Sequence, residues 1–146
     1  MAVAQRGFTL VELLVALALA GLMYALVPPM FGAGMAGTEL KSAARQVAAG
    51  LRKARGEAIH RHRESTLAVD VEAKSFRIGE AGKTESLPKR LDIKVLTADN
   101  EVRERVAAIR FYPDGSSTGG RVTLAAGERK FMVDVDWLTG RVTITD

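Results

Sequence analysis

The sequence predicts an α+β fold in which a long N-terminal helix packs on a C-terminal antiparallel β-sheet. Three observations carry that prediction. The N-terminus holds a long uncharged apolar run. Apolar residues then recur at three- and four-residue steps. From Leu67 onward they alternate with polar ones. Of 21 basic and 17 acidic residues, only Arg6 and Glu12 precede Glu39. This asymmetry excludes a uniform soluble globule, and a single candidate span excludes a polytopic membrane protein. The 146 residues are room for one domain, and 47% are hydrophobic in ordered patterns, which excludes a disordered chain. Cysteine is absent, so there is no disulfide framework, thiol nucleophile or thiolate metal site. The net charge of +4 is too small to demand an anionic partner.

The first element is the apolar run from Phe8 to Val27, 20 residues, about the length that crosses a bilayer core as a helix. Its Leu and Ala are strong helix formers. Glu12 lies inside it, near the N-terminal end. A carboxylate at mid-bilayer depth costs roughly 2.5–3.5 kcal/mol, somewhat less near an interface, so an acid there points to function. Two processing readings compete. A secretory signal would use Arg6 as its basic region and cut after Ala36 in Gly34-Met35-Ala36, but the run is long for such a signal and contains Glu12. The other reading places the cut before the run. Gly7-Phe8-Thr9-Leu10-Val11-Glu12 resembles the type III signal of type IV pilins and type II secretion pseudopilins.

That resemblance implies a prepilin peptidase that cuts after Gly7 and methylates the new amine on Phe8. It implies that residues 1–7 are a leader. It also implies that Glu12 serves assembly by neutralising such an amine, on its own chain or a neighbour's. Leaving one partner of a buried charge pair alone costs roughly 3–5 kcal/mol, which favours an incoming subunit.

Pro28 and Pro29 should interrupt the helix, and Gly32, Gly34 and Gly37 follow. The segment reads either as a plain linker or as a kinked joint within one long helix. Thr38 then reads as the N-cap of a helix to about Arg63. Leu40, Ala44, Val47, Leu51, Ala54 and Ala58 form its apolar stripe, with Ile59 widening it. Lys41, Arg45, Arg52, Lys53, Arg55, Arg61 and Arg63 form the opposite face, read as solvated or near lipid head groups. No aromatic interleaves these bases, so no stacking platform for single-stranded nucleic acid is expected. His60 and His62 lie two apart and point to different sides, so no shared metal is expected.

The sheet follows by period two. Leu67, Val69 and Val71 alternate, then Phe76 and Ile78, then Leu91, Ile93 and Val95. Ile109 and Phe111, Val122 and Leu124, the run Phe131-Val133-Val135-Trp137, and Val142 and Ile144 complete the set. Ala126-Gly127-Glu128 and Leu138-Thr139-Gly140 read as hairpin turns, and Trp137 as core. Residues 79–90 and 97–105 read as loops.

Phe111-Tyr112-Pro113-Asp114-Gly115-Ser116-Ser117-Thr118-Gly119-Gly120 and Val135-Asp136-Trp137-Leu138-Thr139-Gly140-Arg141-Val142 resemble the C-terminal domain of H-type minor pseudopilins, the GspH family, which includes FimT-like minor pilins. The resemblance implies a type IV pilin-like fold. Its long helix has a transmembrane half with a Pro/Gly joint over 8–37 and an amphipathic half. The second half belongs to a periplasmic domain over 38–146. The implied role is a structural subunit of the type II secretion pseudopilus. It would sit single-pass in the inner membrane, in contact with its lipid, and join other pseudopilins as a hetero-oligomer. The alternative is a FimT-like minor pilin that binds DNA during uptake; nucleic acid is not the expected partner. No catalytic set, cofactor or metal is expected. Asp114–Gly120 lacks a P-loop lysine, and Asp114, Asp134 and Asp136 read as ordinary surface charges rather than a calcium site.

Overall fold

The structure is a computed structural model. It describes residues 9–26, 28–97, 102–103 and 106–146, the side chains of 25–26, 28–36 and 102–103 excepted. Helix α1 spans Leu10–Leu26, 17 residues. Thr9 caps it: its Oγ1 accepts from the Glu12 N–H at 3.3 Å and its carbonyl from the Leu13 N–H at 3.2 Å. Seventeen residues give about 26 Å of helix, against a bilayer core of about 30 Å. Among the described residues no helix is long and apolar enough to cross a membrane. Both end residues of the expected 20-residue span, Phe8 and Val27, lie outside the described residues.

Helix α2 spans Pro28–Arg61. Val27, between the two helices, lies outside the described residues, and the Pro pair itself is helical. Thr38 is thus not an N-cap; it lies within α2. The chain divides into two compact units, Met1–Met35 and Ala36–Asp146.

The second unit holds nine strands among the described residues, and their pairings are all antiparallel. They are β1 (Ser65–Asp70), β2 (Ser75–Ile78), β3 (Thr84–Ser86), β4 (Asp92–Thr97), β5 (Val102–Arg103), β6 (Val106–Phe111), β7 (Gly120–Ala126), β8 (Arg129–Val135) and β9 (Val142–Thr145). β3 and β5 fall in stretches the sequence assigned to loops. Instead of the single expected sheet there are two, ordered β3-β2-β1-β6-β5 and β4-β7-β8-β9.

The split has a local cause. β6 and β7 begin as a hairpin: Phe111 bridges Ser117, and the Thr118 N–H donates to the Arg110 carbonyl at 3.0 Å. Pairing stops at Gly120, whose φ of 151° few other residues adopt. A Cβ there would stand 2.8 Å from the Leu96 carbonyl oxygen and 3.1 Å from Ile109 Cδ1. The glycine lets β7 leave β6 and pair with β4. Thr97 knits the junction, its Oγ1 donating to the Ala108 carbonyl at 2.9 Å.

The core is one cluster. α2 contributes Leu40, Ala43, Ala44, Val47, Ala48, Leu51, Ala54 and Ala58. The sheets contribute Leu67, Val69, Phe76, Ile109, Phe111, Val122, Leu124 and Val133, among others. Ile59, expected in the stripe, is 39% exposed. At Gly50 a Cβ would lie 2.8 Å from Phe76 Cε2 and 2.9 Å from Leu67 Cδ1, so helix and sheet meet there through the bare backbone. Leu51→Ala should therefore lower the unfolding free energy by about 2–5 kcal/mol. Ile59→Ala should cost less than about 1 kcal/mol. Chemical denaturation of the two variants checks the order; equal losses would place Ile59 in the core after all.

Candidate assembly site

Glu12 occupies the first turn of α1, and its side chain is exposed. Thr9-Leu10-Val11-Glu12 has the spacing of a capping box, in which a Ser or Thr caps the helix and a Glu stands three residues on. The threonine half is formed. Sequence reasoning passed over Thr9, although this spacing was the signal that reveals it. Gly7 and Phe8 lie outside the described residues.

In the second unit, the two stretches singled out in the sequence come together. The turn after β6 and the turn after β8 lie side by side: the Ser117 N–H donates to the Trp137 carbonyl at 2.8 Å. Each turn is closed by an aspartate. Asp114 Oδ1 accepts from the Ser116 N–H at 2.9 Å and from its Oγ at 2.6 Å. Asp136 Oδ1 accepts from the Thr139 N–H and Oγ1, both at 2.8 Å. The Ser116 hydroxyl first, then its N–H, holds the Asp114 carboxyl below its ordinary pKa. The Thr139 N–H first, then its hydroxyl, does the same for Asp136. Asp134 is engaged elsewhere, on Arg121 at 2.5 Å. The three aspartates thus serve separate partners, and among the described residues no group of acids or histidines is placed to hold a metal. His60 and His62 are both exposed at the end of α2.

Arg55 binds the two turns to the helix. Its Nε donates to the Gly115 carbonyl at 3.0 Å. A Cβ on Gly140, whose φ is +61°, would lie 2.8 Å from the same Nε. Arg52 Nη2 reaches the Val142 carbonyl at 3.3 Å. Two of the bases read as solvated are therefore tethers. No local pattern could reveal this, because each bond spans 60 or 90 residues.

Trp137 is corrected from core to surface: it is 66% exposed. Alternation along β8 ends at Val135, where the Asp136 turn begins. That turn is closed by the Gly140 N–H on the Asp136 carbonyl at 2.9 Å. The next side chain is thereby released from the strand's register. Trp137 and exposed Leu96 flank an open groove of about 430 Å³, floored by Gly119, Gly120 and Val135.

A depressed carboxylate pKa stabilises the fold above the unfolded-state value, about 3.9, and that contribution fades as pH falls through the folded-state value. Asp114→Asn with Asp136→Asn should therefore lower Tm at pH 7. The deficit should narrow as the pH is taken below about 4. Thermal unfolding at stepped pH checks this; a deficit that does not change with pH would show that ionisation adds nothing to these turns.

Comparison with known proteins matches this chain at both ends. The prokaryotic N-terminal methylation motif matches residues 3–27. The family of type II transport protein GspH matches residues 43–140. Type II secretion system protein H of Xanthomonas campestris is 33% identical over 138 residues, 94% of this chain and 81% of that protein. Among solved structures, the type IV minor pilin FimU of Pseudomonas aeruginosa superposes with a TM-score of 0.59 at 18% identity, covering 75% of this chain and 90% of that one. The minor pseudopilin EpsH of Vibrio cholerae gives a TM-score of 0.59 at 12% identity, covering 73% and 96%. These two likenesses establish a shared pilin-like fold. With its GspH region, its methylation motif and a relative matched along nearly its whole length, the chain belongs to the GspH family of type II transport proteins.

Proposed function

We propose that the chain is a minor pseudopilin, a structural subunit of the type II secretion pseudopilus that helps export folded proteins across the outer membrane. The observation that carries this reading is the union in one chain of the methylation motif over 3–27 and the GspH region over 43–140. A filament subunit needs both: an apolar helix to enter a bundle, and a folded head to fix its neighbours. The GspH family is one of structural subunits, and assembly with other pseudopilins follows from membership.

The finer reading rests on the motif. A prepilin peptidase cuts after Gly7 and methylates Phe8. The apolar helix then anchors the mature chain once in the inner membrane lipid, with the second unit in the periplasm. Glu12, capped by Thr9 at the start of α1, meets the cationic amine of a neighbouring subunit. The FimT-like alternative, a DNA-binding minor pilin, shares the fold. It has no Phe, Tyr or Trp among the bases from Lys41 to Arg61 to support it.

Intact mass of the chain isolated from membranes should correspond to residues 8–146 plus one methyl group. A mature chain beginning at Gly37 would instead mean an ordinary secretory signal. Glu12→Ala should be processed normally, since it removes a charge that is costly in lipid. Its recovery in pseudopili should fall severalfold, the expected penalty for leaving one partner of a charge pair alone. Undiminished assembly of Glu12→Ala at native expression would remove the assembly role.

A further inference from the structure

The outward face of α2 carries a row of cations, of which the fold uses only Arg52, and that one on a neutral carbonyl. Lys41, Arg45, Arg52 and Lys53 are all exposed. Ser42, Gln46, Ala49 and Gly56 lie between and beside them, also exposed and uncharged. No acid belongs to α2 between Glu39 and Glu57, and Glu39 is turned to Arg90, 3.4 Å away. Arg52 donates to a neutral carbonyl, so its charge stays uncompensated. Among the described residues no ion pair engages Lys41, Arg45 or Lys53. Like charges four apart on a helix, such as Lys41 and Arg45, destabilise it. A surface shaped for solubility alone intersperses both signs.

We infer that this face docks a carboxylate-bearing face of another pseudopilin subunit. The inference rests on the minor pseudopilin reading and names the surface through which such a subunit binds. Charge complementarity is the argument. Four cations fixed along about 18 Å of one rigid helix set a register for acids on the opposing surface. Such pairs govern encounter rate and partner choice more than raw affinity. A protein fits better than a nucleic acid, because α2 from Thr38 to Arg61 offers no Phe, Tyr or Trp ring for a base to stack on. The short side chains of Ser42, Ala49 and Gly56 leave nothing standing above the cations, and a Cβ at Gly56 would meet no atom within 4 Å.

The test uses the full chain, produced together with the other pseudopilins and isolated from membranes in mild detergent. Arg45→Glu with Lys53→Glu reverses two cations that make no bond within the fold, so the thermal midpoint should not move. Recovery of the other pseudopilins should fall about tenfold. Raising salt from about 0.05 M to about 0.5 M should weaken recovery by the native chain but not by the variant. A photocrosslinker on Ala49→Cys should label a segment of another pseudopilin that carries Asp or Glu. Equal recovery by native chain and variant at both salts overturns the inference and leaves the pseudopilin reading intact. DNA retained on filters by the native chain and lost by the variant, with pseudopilin recovery unchanged, gives the face to nucleic acid and overturns it too. A native chain that recovers no pseudopilin even at low salt defeats both readings together.

Discussion

The second unit depends on how closely α2 can lie against its sheets. Five of the eight core residues named on the helix between Leu40 and Ala58 are alanine, and Gly50 has no side chain at all. The sheets supply the bulk: Phe76, Phe111, Leu67, Ile109 and Leu124 are among the largest fully buried side chains. Large residues on one layer meet small ones on the other, which is how a two-layer core fills without voids. The division of labour explains the helix composition better than helix propensity does. Any larger residue at Gly50 would press on Phe76 and Leu67 and lift the helix from the sheet that holds β1 and β2.

From that contact the rest of the unit follows. With α2 fixed, Arg52 and Arg55 are carried to the ends of β9 and β6, where they hold carbonyl oxygens of the loops. These bonds are half-buried and individually modest. Their effect is positional: they tie the turn after β6 and the start of β9 to a helix that the core has already placed. The aspartate-closed turns then need little further support, since each carries its own cap. The groove beside Trp137 lies where these turns meet the open end of the Gly119–Gly120 crossover.

Much of this was legible because the signals were periodic. The α2 stripe from Leu40 to Ala58 and the alternation in β1, β7 and β8 depend only on which residues face inward, and the structure buries them as their spacing implies. The hairpin at Gly127 was readable for the same reason, since a two-residue turn joins Ala126 to Arg129. What escaped was non-periodic. Whether β6 and β7 share a sheet turns on one glycine and the two residues crowding it. Trp137 continued a period of two on paper, but the strand had ended two residues earlier. Thr38 has the residue type of a cap and stands just ahead of the apolar stripe, yet it lies inside α2. At the site, the Gly7–Glu12 motif was visible as a string, whereas the Arg55 tether joins residues 60 apart and leaves no local trace.

The surface position of Trp137 has a spectroscopic consequence. It is the chain's single tryptophan, and it stands in solvent at the rim of a groove rather than within the packed layers. Its emission is already that of a wet indole in the folded state. Melting the core would change it little, while a partner seated over the groove would shift it to the blue. The native chain thus carries a built-in optical reporter that responds to coverage of this rim and is nearly silent about the integrity of the fold beneath it.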